Sequence, residues 1–212
     1  MTIALIQMTN NTKDNLQRHY SLKEKLQLGY YLIRTKLMGR NIRLIRFPII
    51  IRGRQYIDFG NNLTTGYWCR LEVFLTNNDD YKRIILGNNV QINDFVHICA
   101  LEHVEIGDGC LLASHIYISD NSHGKYNGSE NDSSPLTPPD HREYITKPVI
   151  IGKNVWIGEG VIVLPGVTIG DGCVIGAHSV VNKDIPSNCI AVGSPIKIVK
   201  QYSLEEKCWM RL

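Results

Sequence analysis

No apolar run of membrane length and no secretory leader occurs along these 212 residues, so the chain is expected to stay in the cytoplasm. C-x-x-C spacing is missing as well, although six cysteines are present. They are read as reduced packing residues, with Cys110 and Cys173 at repeat positions that want a small apolar side chain. A strong excess of charge is also lacking: the formal net charge is +3, which argues against a dedicated nucleic-acid binder. What charge there is lies unevenly, with eleven Lys and Arg against three acids in residues 1–60 and twelve against seventeen in 61–212. A solvated basic surface is the plain reading of that basic end, ahead of contact with anionic lipid or a phosphate-bearing substrate.

What the sequence does contain is a period of six. Ile151 to Pro186 parses as IGKNVW, IGEGVI, VLPGVT, IGDGCV, IGAHSV and VNKDIP, each opened by Ile or Val. A compact residue recurs four places after the opener (Val155, Val161, Val167, Cys173, Ser179), with the larger Ile185 as exception. Neither a helix nor an alternating strand asks for that period; a short strand ending in a tight corner does. Three such units close one turn of a triangular prism, with openers and fifth residues pointing inward. The fold class is therefore all-β, a parallel β-helix of hexapeptide repeats.

Three segments are expected. Residues 1–40 carry an amphipathic helix from about Lys13 to Met38, broken near Gly29 and ended near Gly39. Its Tyr30-Tyr31 pair and basic residues would also suit a membrane interface, but the preferred reading is a cap over the open end of the prism. Residues 41–190 form the β-helix. Its early units are degenerate but read as in phase through Ile51, Ile57 and Leu63, and two extra residues near 101–103 are expected to bulge outward. Periodicity vanishes over about 119–148, a polar stretch expected to project from one corner as an arm. After Pro186 the frame is lost, and 191–212 is read as a short tail.

Among seven histidines, His123 stands out because it sits in the DNSHG turn where the repeat breaks into the arm. An imidazole on a rigid corner beside a flap is placed to act as a general base. His141 and Tyr126 share the arm and are weaker candidates, while His115 and His178 read as surface residues. No second histidine lies near His123 in the spacing of a shared zinc site, so no metal is expected.

The run IGxxxW-IGxxxx-VxPGVxIGxGxVIGAxSVVxKDIP resembles the hexapeptide-repeat acyltransferases, which are trimeric left-handed β-helix enzymes using acetyl-CoA. The INDFVHI and DNSHGKY segments and the basic start look most like bacterial polysaccharide O-acetyltransferases. The left hand of the coil comes from this resemblance alone. It implies His123 as general base, with Asn93 contacting the acceptor and Trp156 beside the acetyl and pantetheine channel. Gly158 and Ala177 would line the cofactor through their backbone, Asn182 and Lys183 would meet its outer end, and Lys197 and Lys200 would stand where related enzymes carry two phosphate-facing arginines. The family's acceptor-binding aspartate does not align: Leu101 takes its slot, with Glu102 beside it, and the arm is longer by nine residues. The resemblance implies direct acetyl transfer to a sugar hydroxyl of a surface polysaccharide or its free or lipid-linked precursor. It also implies a homotrimer, no nucleic acid and at most peripheral membrane contact. The alternatives are a small free acceptor such as a galactoside, amino acid or antibiotic, and a non-catalytic scaffold; an acyl-carrier-protein donor is a further alternative, since longer-chain acyltransferases share the repeat.

Overall fold

A computed structural model describes residues 20–74 and 80–212; the start of the expected helix, 13–19, lies outside them. The chain winds into a prism whose three faces are parallel sheets. Face 1 stacks strands from Thr64–Thr65 to Cys189–Val192, face 2 from Ile50–Arg52 to Val180–Val181, and face 3 from Ile57–Asp58 to Thr168–Ile169. The reason is the one the period gives. The openers Ile151, Ile157, Val163, Ile169, Ile175 and Val181 are all buried, and so are Val155, Val161, Val167, Cys173 and Ser179. Each unit buries two side chains and turns its remaining residues outward or into a corner. Interior close packing is what makes a slip by one residue unfavourable, since it would turn the apolar set outward.

Strand register shows where the frame yields. Inward residues on face 2 run Ile51, Leu71, Ile98, Ile118, Val163, Val181. On face 3, Leu86, Ile106, Ile151, Ile169 and Ile185 are in register, and Phe59 continues this column because Asp58 pairs with Ile85. Steps from face 1 to face 2, and from face 3 to face 1, are always six. From face 2 to face 3 they are 8, 15, 8, 33, 6 and 4 residues, read from those columns. One edge of the prism thus absorbs every irregularity. Two expectations are corrected. Ile57 pairs with Ile84 rather than standing in the opener column, so the early frame is displaced by two at that edge. Ile185 bridges Ile169 as an opener, because the corner 182–184 is two residues short; this accounts for its size.

The segment 101–103 does not bulge outward either. Leu101 is buried, and its N–H, with those of Glu102 and His103, donates to the Asp120 carboxylate at 2.6–3.1 Å. Asp120, itself fully buried, also accepts from Asn121 Nδ2 at 3.0 Å. A carboxylate that takes three successive backbone donors satisfies groups a buried loop would otherwise leave orphaned.

The amino-terminal cap α1 spans Leu22–Met38 and starts in a capping box between Ser21 and Glu24. It runs unbroken through Gly29, where no neighbouring atom lies within 4 Å of a would-be Cβ. Thr35 Oγ1 accepts from Ile45 N–H at 2.8 Å and the Tyr31 hydroxyl donates to the Phe47 carbonyl at 2.8 Å, fastening the helix over the first turn. At the other end the coil continues past Pro186 through Cys189–Val192. Strands Lys197–Ser203 and Cys208–Arg211 then extend face 1 antiparallel.

Candidate active site

The irregular edge carries the arm. Asn121–His123 pairs antiparallel with Tyr144–Thr146, so the arm is a hairpin rather than a structureless loop. Its body is held from within. Arg142 donates to the Thr137 carbonyl at 2.8 Å and to the Tyr126 hydroxyl at 2.6 Å, and that hydroxyl donates to the His123 carbonyl at 2.6 Å. Asp132 accepts from the Asn127 and Gly128 N–H groups, which lower its pKa.

His123 itself is exposed. Its ring lies 4.5 Å from that of Tyr144, tilted by 47°. Nδ1 is 3.1 Å from the Pro139 carbonyl oxygen. A carbonyl only accepts, so in this contact Nδ1 carries the hydrogen. In the neutral ring Nε2 is then the basic nitrogen. Glu102 stands at the same edge one coil earlier, its N–H on Asp120. Asn182 and Lys183 are at this edge two coils later, exposed in the shortened corner.

The other residues singled out from sequence lie elsewhere. Asn93, Gly158 and Ala177 form part of the edge between faces 1 and 2, and Trp156, 52% exposed, stands on face 1 just before it. Asn93 Oδ1 accepts from Gln91 Nε2 at 3.2 Å. At Gly158 an added Cβ would lie 2.7 Å from Ala177 N and 2.8 Å from Ile175 O, so this corner is stacked backbone against backbone. Lys197 and Lys200 lie on the antiparallel strand that extends face 1. Within one chain the arm with His123 and the edge with Asn93, Trp156 and Gly158 therefore flank face 2 on opposite sides. His115 is indeed at the surface, stacked at 4.8 Å on Phe95.

Sequence reasoning missed a cluster of polar residues on face 2, between these halves. Glu72 is fully buried there, 2.6 Å from Arg70, 3.0 Å from His97 and 3.4 Å from Arg52. These are ion-pair distances without hydrogen-bond alignment. Burial, and then Arg70, lowers the His97 pKa below its ordinary 6.5. The ring of Tyr117 packs 5.3 Å from His97, and Cys99 Sγ accepts from Asn121 Nδ2 at 3.6 Å. An acid on a degenerate repeat was the one available signal for Glu72; Asp120 was visible only as the residue opening the DNSHG turn. Among the described residues no group of three His, Cys, Asp or Glu gathers as a metal site.

Comparison with known proteins agrees with the fold. Residues 148–183 match the bacterial transferase hexapeptide family of six repeats. The chain is 43% identical over 194 residues to the putative lipopolysaccharide biosynthesis O-acetyl transferase WbbJ of Escherichia coli (strain K12), covering 92% of this chain and 96% of that one. It is 36% identical over 124 residues to the galactoside O-acetyltransferase of the same organism, covering 58% and 57% of the two chains. Among solved structures, a point mutant of AntD, an N-acyltransferase from Bacillus cereus in complex with dTDP-4-amino-4,6-dideoxyglucose and coenzyme A, superposes with a TM-score of 0.65. The identity is 26%, with coverage of 82% of this chain and 90% of that one. The chain belongs to the hexapeptide-repeat, left-handed β-helix acetyltransferases.

Proposed function

We propose that this protein transfers acetyl from acetyl-CoA to a sugar hydroxyl of a surface polysaccharide, such as O-antigen, capsule or exopolysaccharide, or of its cytoplasmic precursor. The observation that carries the reading is the contact of His123 Nδ1 with the Pro139 carbonyl, which leaves Nε2 as the proton acceptor at the foot of the arm. A sugar hydroxyl is a very weak acid and needs such a base within hydrogen-bond reach as it attacks. Nε2 takes the hydroxyl proton while the oxygen bonds to the thioester carbonyl carbon. The C–S bond then breaks, and the imidazolium returns the proton to the leaving thiolate, giving the O-acetyl sugar and free coenzyme A thiol. Supporting the acceptor class is the 43% identity to a protein named for lipopolysaccharide O-acetylation.

Acetyl-CoA fits the edge between faces 1 and 2. Gly158 and Ala177 present no bulky side chain at their own positions on that edge, and the half-exposed Trp156 offers an indole face beside them. Lys197 and Lys200 supply cations for phosphates from the strand that extends face 1, and Lys183, on the arm-side edge, would reach them from the adjoining subunit; all three act as point charges rather than the bidentate forks of arginine. Glu102 and Tyr126 flank the base on the arm side, and Asn93 is assigned to the acceptor from the opposite edge.

Because the two halves flank face 2 of a single chain, the complete site is assigned to a cyclic homotrimer, His123 of one subunit working against the donor edge of its neighbour. Release of thiol from acetyl-CoA in the presence of purified oligosaccharide tests the chemistry. His123→Ala should lose about 10²–10⁴ in turnover while still binding acetyl-CoA. Mixing His123→Ala with Trp156→Ala chains before refolding tests the sharing. Activity should reappear in the mixed oligomers, and a monomer of full activity would overturn the shared site.

A further inference from the structure

Helix α1 has two faces, and only one of them meets the prism. Advancing about 100° per residue, Leu28, Tyr31, Leu32, Thr35 and Met38 fall together on the covered side. On the opposite side, about 180° away, lies a second apolar stripe: Leu22, Leu26, Tyr30, Ile33 and Leu37. These are 74%, 68%, 54%, 67% and 83% exposed. The five side chains occupy an arc of about 80° and a length of about 22 Å. Exposed leucines are common singly, but a continuous row of them is not.

The charges around the row name its occupant. Lys23 and Arg34 border it on one side and Lys25 on the other; Lys36 shares the side of Lys25, with its ammonium donating to the Arg40 and Ile42 carbonyls at 3.0 and 2.9 Å. Arg34 stacks over the Phe47 ring at 3.8 Å and donates to the Tyr30 hydroxyl at 3.3 Å, which holds the guanidinium between the prism and the edge of the stripe. The helix has one acid, Glu24, and it is engaged with Ser21 in the capping box on the prism side. An apolar arc hemmed by cations on both edges is complementary to acyl chains below and anionic headgroups beside it. Another copy of the same helix would bring like charges together. No helix among the described residues is long and apolar enough to span a bilayer.

We infer that α1 lies flat on an anionic lipid surface through Leu22, Leu26, Tyr30, Ile33 and Leu37, while its other face closes the prism. Cyclic symmetry holds equivalent residues in one plane, so the three stripes of a trimer would meet one surface together. The inference goes beyond the transferase reading and does not depend on it.

Flotation with phosphatidylglycerol/phosphatidylcholine vesicles, compared with phosphatidylcholine alone, tests it on the full chain. The wild-type protein should float with the anionic vesicles, release at high salt, and ignore the neutral ones. Leu26→Glu/Ile33→Glu should reduce the bound fraction by about tenfold or more, with thiol release on a soluble oligosaccharide unchanged. Failure of the folded wild-type protein to bind anionic vesicles overturns the inference. So does a double variant that lowers the oligomer mass, or the melting temperature, without altering vesicle binding; the stripe would then be covered by protein.

Discussion

Replacing Asp120 by Asn removes one charge and almost no volume, yet it should be among the most damaging single changes in this chain. The carboxylate accepts from three consecutive backbone N–H groups, Leu101, Glu102 and His103, and from the Asn121 side chain. It is fully buried, so water cannot replace it. Asn keeps one acceptor oxygen and sets an NH2 donor against donors. Hydrogen bonds to a charged group contribute about 1.5–3 kcal/mol each; losing the equivalent of two gives a destabilisation of about 3–6 kcal/mol. For a chain of this size that lowers the melting temperature by roughly 10 °C. Asn121→Ala removes one of the four partners and should lower stability by only about 1.5–3 kcal/mol. Thermal unfolding of both variants at one protein concentration measures the difference, since oligomers must be compared at equal concentration. Limited proteolysis should find the arm of Asp120→Asn cut sooner, because Asp120 ties its root to the preceding coil. A melting temperature within a degree or two of wild type for Asp120→Asn, with full activity, would refute the role given to this carboxylate.

Burial pushes the Cys69 and Cys110 thiols up to about 11, from an ordinary 9.0. An unfolded thiol ionises first as pH rises, so these groups contribute fully to stability below pH 9 and lose that contribution between 9 and about 11. Denaturation midpoints should fall in that window, and at neutral pH a thiol reagent should label exposed Cys208 well before the five buried cysteines. His97 works in the opposite direction: its folded pKa is depressed below 6.5, so the unfolded chain protonates first and stability is lost as pH falls below that value. NMR titration should place the His97 midpoint under 6.5, and a midpoint above it would remove the effect. Gly158→Ala forces a Cβ against the Ala177 and Ile175 backbone; about 1–3 kcal/mol of destabilisation and a raised KM for acetyl-CoA are expected from calorimetry and initial rates.

Much of the coil was legible because every unit repeats the same local solution: an apolar opener, a corner and a small inward residue. The period announces a face without any knowledge of its neighbours. What escaped was set by residues far apart in the chain. Ile57 looks like an opener six after Ile51, and only the pairing of Ile57 with Ile84 reveals the offset. Ile185 looks oversized until it is seen beside Ile169. The order within the arm depends on Arg142 reaching Tyr126 and on Pro139 reaching His123, each sixteen residues away, and no local pattern encodes either. His123 was readable because it sits where the repeat stops. Its orienting carbonyl was not, since any residue supplies one. The Gly29 break did not occur because helix formation there is carried by the packing of Tyr31 and Thr35, which outweighs a glycine's propensity of about 1 kcal/mol.

Steps of 8, 15, 8, 33, 6 and 4 residues share one border of the prism, while the other two keep a step of six throughout. Chain length there can change without moving a single inward side chain, and each doubling of a loop adds only about 0.6 kcal/mol of closure entropy. The region around His123 can accordingly be remodelled by insertion or deletion while the two regular borders keep their step of six. Divergence in acceptor among such rods needs no change of register, only a longer or shorter detour at that one margin.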